Sequence, residues 1–217
     1  MVCKKILLAF ALLAGLWSCD KPYEWDKPLA VDSRLVKLTA KEGKTRVIVY
    51  SDRNWTCSVH SEEDGDWGRI DKSGGSGLGD MLFTYEANPG VTRTLAIALA
   101  AGAVKDTVRM QQAGAITAPR FVPATRNFTV ASAGGSQSTT VNTNLTPCLH
   151  RLTSSVKWTE GAGGWISGIA VADGKITFTV SQNSSGSSRK AEIRFDIPGM
   201  VEPSPFPGAV ITVTQNP

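Results

Sequence analysis

The chain has 217 residues, 41% of them apolar and 19% charged, with 23 basic and 19 acidic side chains for a formal charge of +4. So balanced a charge, with no clustered basic face, excludes phosphate-backbone binding, and no nucleic-acid partner is expected. The apolar content excludes a disordered tail, and 21 Gly with abundant Ser, Thr and Val disfavour a helix bundle. Lys4 and Lys5 precede an apolar run from Ile6 to Leu16. That run is too short to cross a bilayer, but it suits the apolar centre of a secretory leader.

The leader runs into Leu16-Trp17-Ser18-Cys19. This resembles the lipobox of bacterial lipoproteins, with a small residue before the cysteine and a bulkier Trp17 than is usual there. The resemblance implies a signal peptide over 1–18, cleavage before Cys19, and acylation of the Cys19 sulfur and of the new amine. Two or three acyl chains hold a protein at a membrane where one does not. The membrane is thus an expected partner through Cys19. The expected location is the cell envelope, as an outer membrane lipoprotein, with the surface and periplasmic faces both open; a soluble secreted protein is the alternative. Residues 19–34 read as the lipidated N-terminus and tether, with Pro22, Pro28 and no usable periodicity. Tyr23 and Trp25 suit either a lipid interface or packing on the folded part. Once Cys3 leaves with the leader and Cys19 is acylated, Cys57 and Cys148 remain. They read as small buried hydrophobes in separate domains, not as a disulfide.

The rest of the chain is one unit written twice. Gly43 and Gly134 are 91 residues apart, as are Cys57 and Cys148. Phe83 and Phe178, and Asn88 and Asn183, are 95 apart; Arg93 and Arg189, and Ile97 and Ile193, are 96 apart. Slowly growing offsets are what loop insertions in a common scaffold produce. Within each unit the apolar period is two. Thr45, Val47 and Val49 share one strand face, Met81, Phe83 and Tyr85 another, and Ile176, Phe178 and Val180 a third. Turn chemistry separates the runs at Glu42-Gly43, Asn88-Pro89-Gly90, Gly134-Gly135 and Asp173-Gly174. The expected fold is all-β: two tandem immunoglobulin-like sandwiches over 35–114 and 126–217, joined by a short stiff linker over 115–125 that holds Pro119 and Pro123. No helix is expected after the leader.

The order of marks is glycine turn, strand, Trp, a second Trp, glycine-rich loop, strand, Asn, Arg, strand and a closing Thr-Val-x-x-Gln. The first copy carries Asn54-Trp55, Trp67, Asn88, Arg93, Ile97 and Gln111-Gln112; the second carries Trp165-Ile166, Asn183, Arg189, Ile193 and Thr214-Gln215-Asn216. This resembles the BACON module of Bacteroidetes, an immunoglobulin-like domain found near the start of secreted glycan-degrading proteins. The second copy departs from the pattern at Leu145-Thr146, where the first has Trp55, and in a longer segment from Pro198 to Pro207. The resemblance implies carbohydrate binding, with a polysaccharide or host glycan as partner and proteins of a glycan-uptake system alongside.

Residues for catalysis are mostly missing. His60 and His150 lie just after Cys57 and Cys148, but one such pair per domain cannot fill four zinc positions. Gly75-Ser76-Gly77 has no strand-to-helix elbow to activate a serine. Glu62, Glu63, Asp64 and Asp66 are carboxylates of one loop rather than two acids held on a rigid frame, and do not match a calcium loop. No catalytic residue, metal or cofactor is expected, and the chain reads as non-enzymatic. Sugar rings present flat C–H faces to aromatic side chains. Trp67 and Trp165 recur and read as core. Trp158 is unique to the second copy and lies beside a glycine-rich loop, which makes it the candidate ligand-binding platform; a packed indole is the alternative. Asp106-Thr107-Val108 resembles the O-glycosylation signal of Bacteroidetes secreted proteins. The rival to glycan binding is a spacer or adhesive assembly component with no glycan ligand, working through an exposed strand edge.

Overall fold

The computed structural model describes residues 28–61, 65–198 and 209–217. The leader, Cys19, Tyr23 and Trp25 lie outside the described residues, as do Glu62, Glu63 and Asp64. The first module holds β1 (Leu29–Val31), β2 (Leu35–Leu38), β3 (Gly43–Ser51), β4 (Asn54–His60), β5 (Gly68–Ile70), β6 (Gly74–Ser76), β7 (Gly79–Tyr85), β8 (Arg93–Ala101) and β9 (Val104–Gln112). They form one sheet in the order β1-β3-β7-β5 and a facing sheet β2-β9-β8-β4-β6. The second module holds β10 (Phe121–Pro123), β11 (Asn127–Val130), β12 (Gly135–Thr143), a 3₁₀ turn (Thr146–Arg151), β13 (Thr153–Glu160), β14 (Ile166–Ala172), β15 (Lys175–Val180), β16 (Arg189–Asp196) and β17 (Val210–Gln215). Its sheets run β10-β12-β15-β14 and β11-β17-β16-β13. The chain is therefore two tandem immunoglobulin-like sandwiches.

Alternation builds both cores. Val47 and Val49 of β3, Met81 and Phe83 of β7, and Leu95, Ile97 and Leu99 of β8 are buried in the first; Ile176, Phe178 and Val180 of β15 join Ala191, Ile193 and Phe195 of β16 in the second. In each module the opening strand is split between the two sheets. β1 pairs antiparallel with β3, after which β2 pairs parallel with β9; β10 pairs with β12, after which β11 pairs parallel with β17. One chain segment thereby covers an edge of each sheet.

Three features differ from the expectation. The stretch read as tether contains β1, whose Leu29 is buried in the first core, and the stretch read as linker contains β10, whose Phe121 is buried in the second. Strands of three residues are too short to show a period, and only their long-range partners reveal them. The third is the 3₁₀ turn that carries Cys148 and His150, the single helical element among the described residues. Cys148 is therefore not the counterpart of Cys57. Cys57 stands opposite Leu99 on β4, and the place opposite the matching Phe195 is taken by Ser154.

Cys57 and Cys148 are both buried thiols outside any disulfide. Burial pushes the Cys57 thiol above its ordinary value near 9, with the Asp71 carboxylate adding to the rise and Lys72 opposing it. The folded state then keeps a proton that the unfolded chain releases, so stability contributed by Cys57 is full below the unfolded value and falls as pH rises past it. A thiol reagent at pH 8 is expected to leave Cys57 and Cys148 unmodified in the native protein and to react with both in denaturant. Rapid native reaction at either would contradict the packing.

Each module is entered at one end and left at the other. Pro28 and Leu29 lie beside Ser51, whereas Gln112 closes on Glu86 at the opposite end. Phe121 pairs with Thr143, whereas Asn216 meets Asn183 at the far end. Between the modules is a packed joint. Val91 of the first module is 1% exposed and belongs to the same apolar cluster as Phe121, Leu145 and Cys148 of the second. Arg151, itself buried, donates from Nη1 to the Thr92 carbonyl (3.1 Å) and from Nη2 to the Pro198 carbonyl (3.3 Å). The Ile116 amide donates to Gly90 O (2.9 Å), and a Cβ on Gly90 would come within 2.9 Å of the Cys148 Cβ. Only glycine admits that approach.

Candidate functional site

The recurring Trp, Asn, Arg and Gln form the same clasp in both modules, at the end where the chain leaves. Arg93 stacks on Trp67 with its guanidinium carbon 4.5 Å from the ring, and its Nε donates to Gln112 Oε1 (2.9 Å). Arg189 stacks on Trp165 at 4.8 Å and donates to Gln215 Oε1 (2.8 Å). Burial lowers the Arg189 guanidinium from its ordinary value. Gln112 and Gln215 are fully buried and return donors to loop carbonyls: Gln112 to Glu86 O, and Gln215 to Ala131 O, Ser132 O and Ser181 O. Asn88 and Asn183 tie each loop to the strand that closes the module through Ala113 O and Asn216 O. These residues fold the module.

Trp158, the expected stacking platform, lies on β13 and is half-buried rather than exposed. Its indole packs on the second core at 5.5 Å from the Trp165 ring, and a Cβ on Gly163 would come within 2.9 Å of its Nε1. The cause lies across the strand. Trp158 stands opposite Ala191, where the first module has Leu95. The small Ala191 leaves room for an indole that a leucine would fill, as close packing demands. No described aromatic side chain is exposed: Tyr50, Phe128 and Trp158 are half-buried and the rest are buried. Trp158 remains the partly open indole that lies beside a glycine-rich turn.

Cys57 and His60 are three apart on one strand, so they face opposite sides; His60 is exposed and hydrogen-bonded through Nε2 to Ser58 Oγ (2.9 Å). Among the described residues no three His, Cys, Asp or Glu side chains gather closely enough to hold a metal ion. Thr107 is exposed on β9, next to an Asp106 that pairs with Arg34 at 3.0 Å. Sequence reasoning missed an open cleft of about 1160 Å³ in the first module, between the short β5 and β4. Cys57, Trp67, Arg69, Asp71, Lys72 and Glu86 line it. Its aromatic walls are buried and its charges mixed, so it offers polar contacts without a stacking face. The signal in the sequence was indirect: β5 is brief because the chain leaves for the other sheet at β6.

Residues 156–216 match the family model BACON, described as "Putative binding domain, N-terminal". The match falls within the second module, from β13 to the residue after β17. No curated protein matches the chain. Among solved structures, a Bacteroides ovatus GH5 xyloglucanase in complex with a XXXG heptasaccharide is similar at 21% identity and a TM-score of 0.36, over 40% of this chain. The chain spans 19% of that enzyme. A protein from Bacteroides thetaiotaomicron is similar at 15% identity and a TM-score of 0.32, over 46% of this chain and 98% of that one. A chimeric titin tandem is similar at 13% identity and a TM-score of 0.35, over 87% of this chain and 98% of the other.

Proposed function

We propose, for a chain whose second module is of BACON type, a non-enzymatic lipoprotein of the cell envelope that holds a glycan-binding module away from the membrane on a stiff first module. Cys19 is its lipid anchor and the outer membrane its place. The observation that supports this reading is the head-to-tail path: the chain enters the first module at one end, crosses a packed joint and leaves the second module at the far end. A nine-residue strand spans about 30 Å, so two modules in series reach on the order of 60 Å. The ligand class is a polysaccharide or host glycan, taken by the open side of Trp158 with the polar groups near Gly161 and Gly163. Proteins of a glycan-uptake system are its neighbours.

A second reading, a spacer or assembly component with no glycan ligand, is favoured by the burial or half-burial of every described aromatic ring. Affinity electrophoresis in gels carrying mucin and plant polysaccharides separates the two. Retarded migration that is lost in Trp158→Ala is the expected result. Unchanged migration across the panel overturns glycan binding and leaves the spacer.

A further inference from the structure

The end of the first module that faces away from the joint is one continuous tip. Ser51 Oγ donates to Pro28 O (2.7 Å), the Gly77 amide donates to Arg53 O (3.2 Å), and Trp55 Nε1 donates to Gly77 O (3.2 Å). A Cβ on Gly102 would lie 3.8 Å from Arg53 Nη1, which places the β8–β9 turn against the same arginine. On this tip Leu78 is 69% exposed and Val104 36%, two of the three large apolar side chains exposed among the described residues. The neighbouring carboxylates are neutralised: Asp52 pairs with Arg53 at 2.6 Å and Asp106 with Arg34 at 3.0 Å, while Lys105 is exposed. Among the described residues the tip is therefore apolar at its summit and carries no net negative charge.

The tip is also where the N-terminal segment joins the module. Nine peptide steps separate Cys19 from Pro28. At no more than about 3.6 Å each they reach roughly 30 Å, so an acylated Cys19 confines the tip to the neighbourhood of its own bilayer. Tethering at that range supplies an effective concentration on the order of millimolar, enough to populate a contact too weak to form between free molecules.

We propose that this tip is a lipid-contacting surface, with Leu78 and Val104 entering the headgroup layer of a phospholipid bilayer. The inference rests on the reading of Cys19 as acylated and adds a second point of attachment to it. One anchor leaves a module free to swivel. Two fix its tilt, and the packed joint passes that tilt to the second module.

The test uses the full lipidated chain in vesicles of neutral and anionic phospholipid that carry a spin-labelled quencher in the headgroup region. Cys57 and Cys148 are buried and Cys19 is capped by lipid, so a cysteine introduced at exposed Ala103 takes a fluorescent label alone. Quenching of the label in Ala103→Cys is expected, with none in Ser185→Cys at the far end of the second module. Adding Leu78→Asp and Val104→Asp to Ala103→Cys is expected to reduce quenching at least threefold while the protein still floats with the vesicles. A floating protein with no quenching at position 103, or with quenching indifferent to the two aspartates, overturns the tip. A chain that takes up no radiolabelled palmitate and behaves like Cys19→Ala overturns the anchoring reading instead, and the tip proposal with it.

Discussion

Gln215→Leu is expected to lower the melting temperature of the second module by on the order of 15 °C. The side chain is fully buried and holds four partners: Arg189 Nε donates to its carbonyl, and its amide nitrogen donates to Ala131 O, Ser132 O and Ser181 O. Leucine keeps the volume and removes every bond. The three carbonyls each retain another donor, from the Gly134 amide, the Asn183 amide and Arg189, so their loss is partial. Arg189 Nε, stacked against Trp165, loses its acceptor altogether. A neutral bond contributes about 1 kcal/mol and a charged one about 2, which gives roughly 3 kcal/mol after allowing for the retained partners. For a module of this size each kcal/mol shifts the midpoint by about 4–8 °C. Gln112→Leu is expected to cost less, because Gln112 Nε2 reaches a single carbonyl, Glu86 O. Calorimetry decides the matter: a Gln215→Leu midpoint within about 3 °C of the parent means that the clasp does not hold the module together.

Val91→Asp is expected to open the joint between the modules. Val91 sits 1% exposed among the apolar side chains of the second module's core cluster, and the buried cation of that module, Arg151, already donates to Thr92 O and Pro198 O. Burying an unpaired charge costs several kcal/mol, more than a small joint can supply, so separation is the cheaper outcome. Rotational correlation times from amide relaxation should drop from the value of one body to values nearer those of single modules. Small-angle scattering should show a broadened distance distribution. The second module should also melt earlier, since Phe121 and Leu145 lose their cover. Val91→Ala, which removes two methyl groups, should cost on the order of 2 kcal/mol without separating the modules. If Val91→Asp still tumbles as one body, the joint is held by something other than this apolar plug.

The loops at the exit ends of the two modules show how duplication diverges. Asn88-Pro89-Gly90-Val91 leads to the joint in the first module, whereas the second carries Asn183-Ser184-Ser185-Gly186-Ser187 in the same place. Both begin with the Asn that ties the loop to the closing strand. Beyond that Asn the two loops part company, because one is covered by a neighbouring module and the other is polar and exposed to water. The repeat was legible from spacing. The use each copy makes of the loop was not.

Strand faces, the duplication and the buried character of Trp67 and Trp165 are set by the sequence alone, because a period of two and a recurring motif are local or countable properties. Tertiary structure decided the rest. Trp158 is half-buried because Ala191 stands across from it, 33 positions away in sequence. Cys148 belongs to a turn because strand register assigns the place of Cys57 to Ser154. β1 and β10 exist because β3 and β12 offer them an edge. Val91 is a core residue of a module it does not belong to. In each case the determining partner is distant along the chain, and no window of sequence contains both.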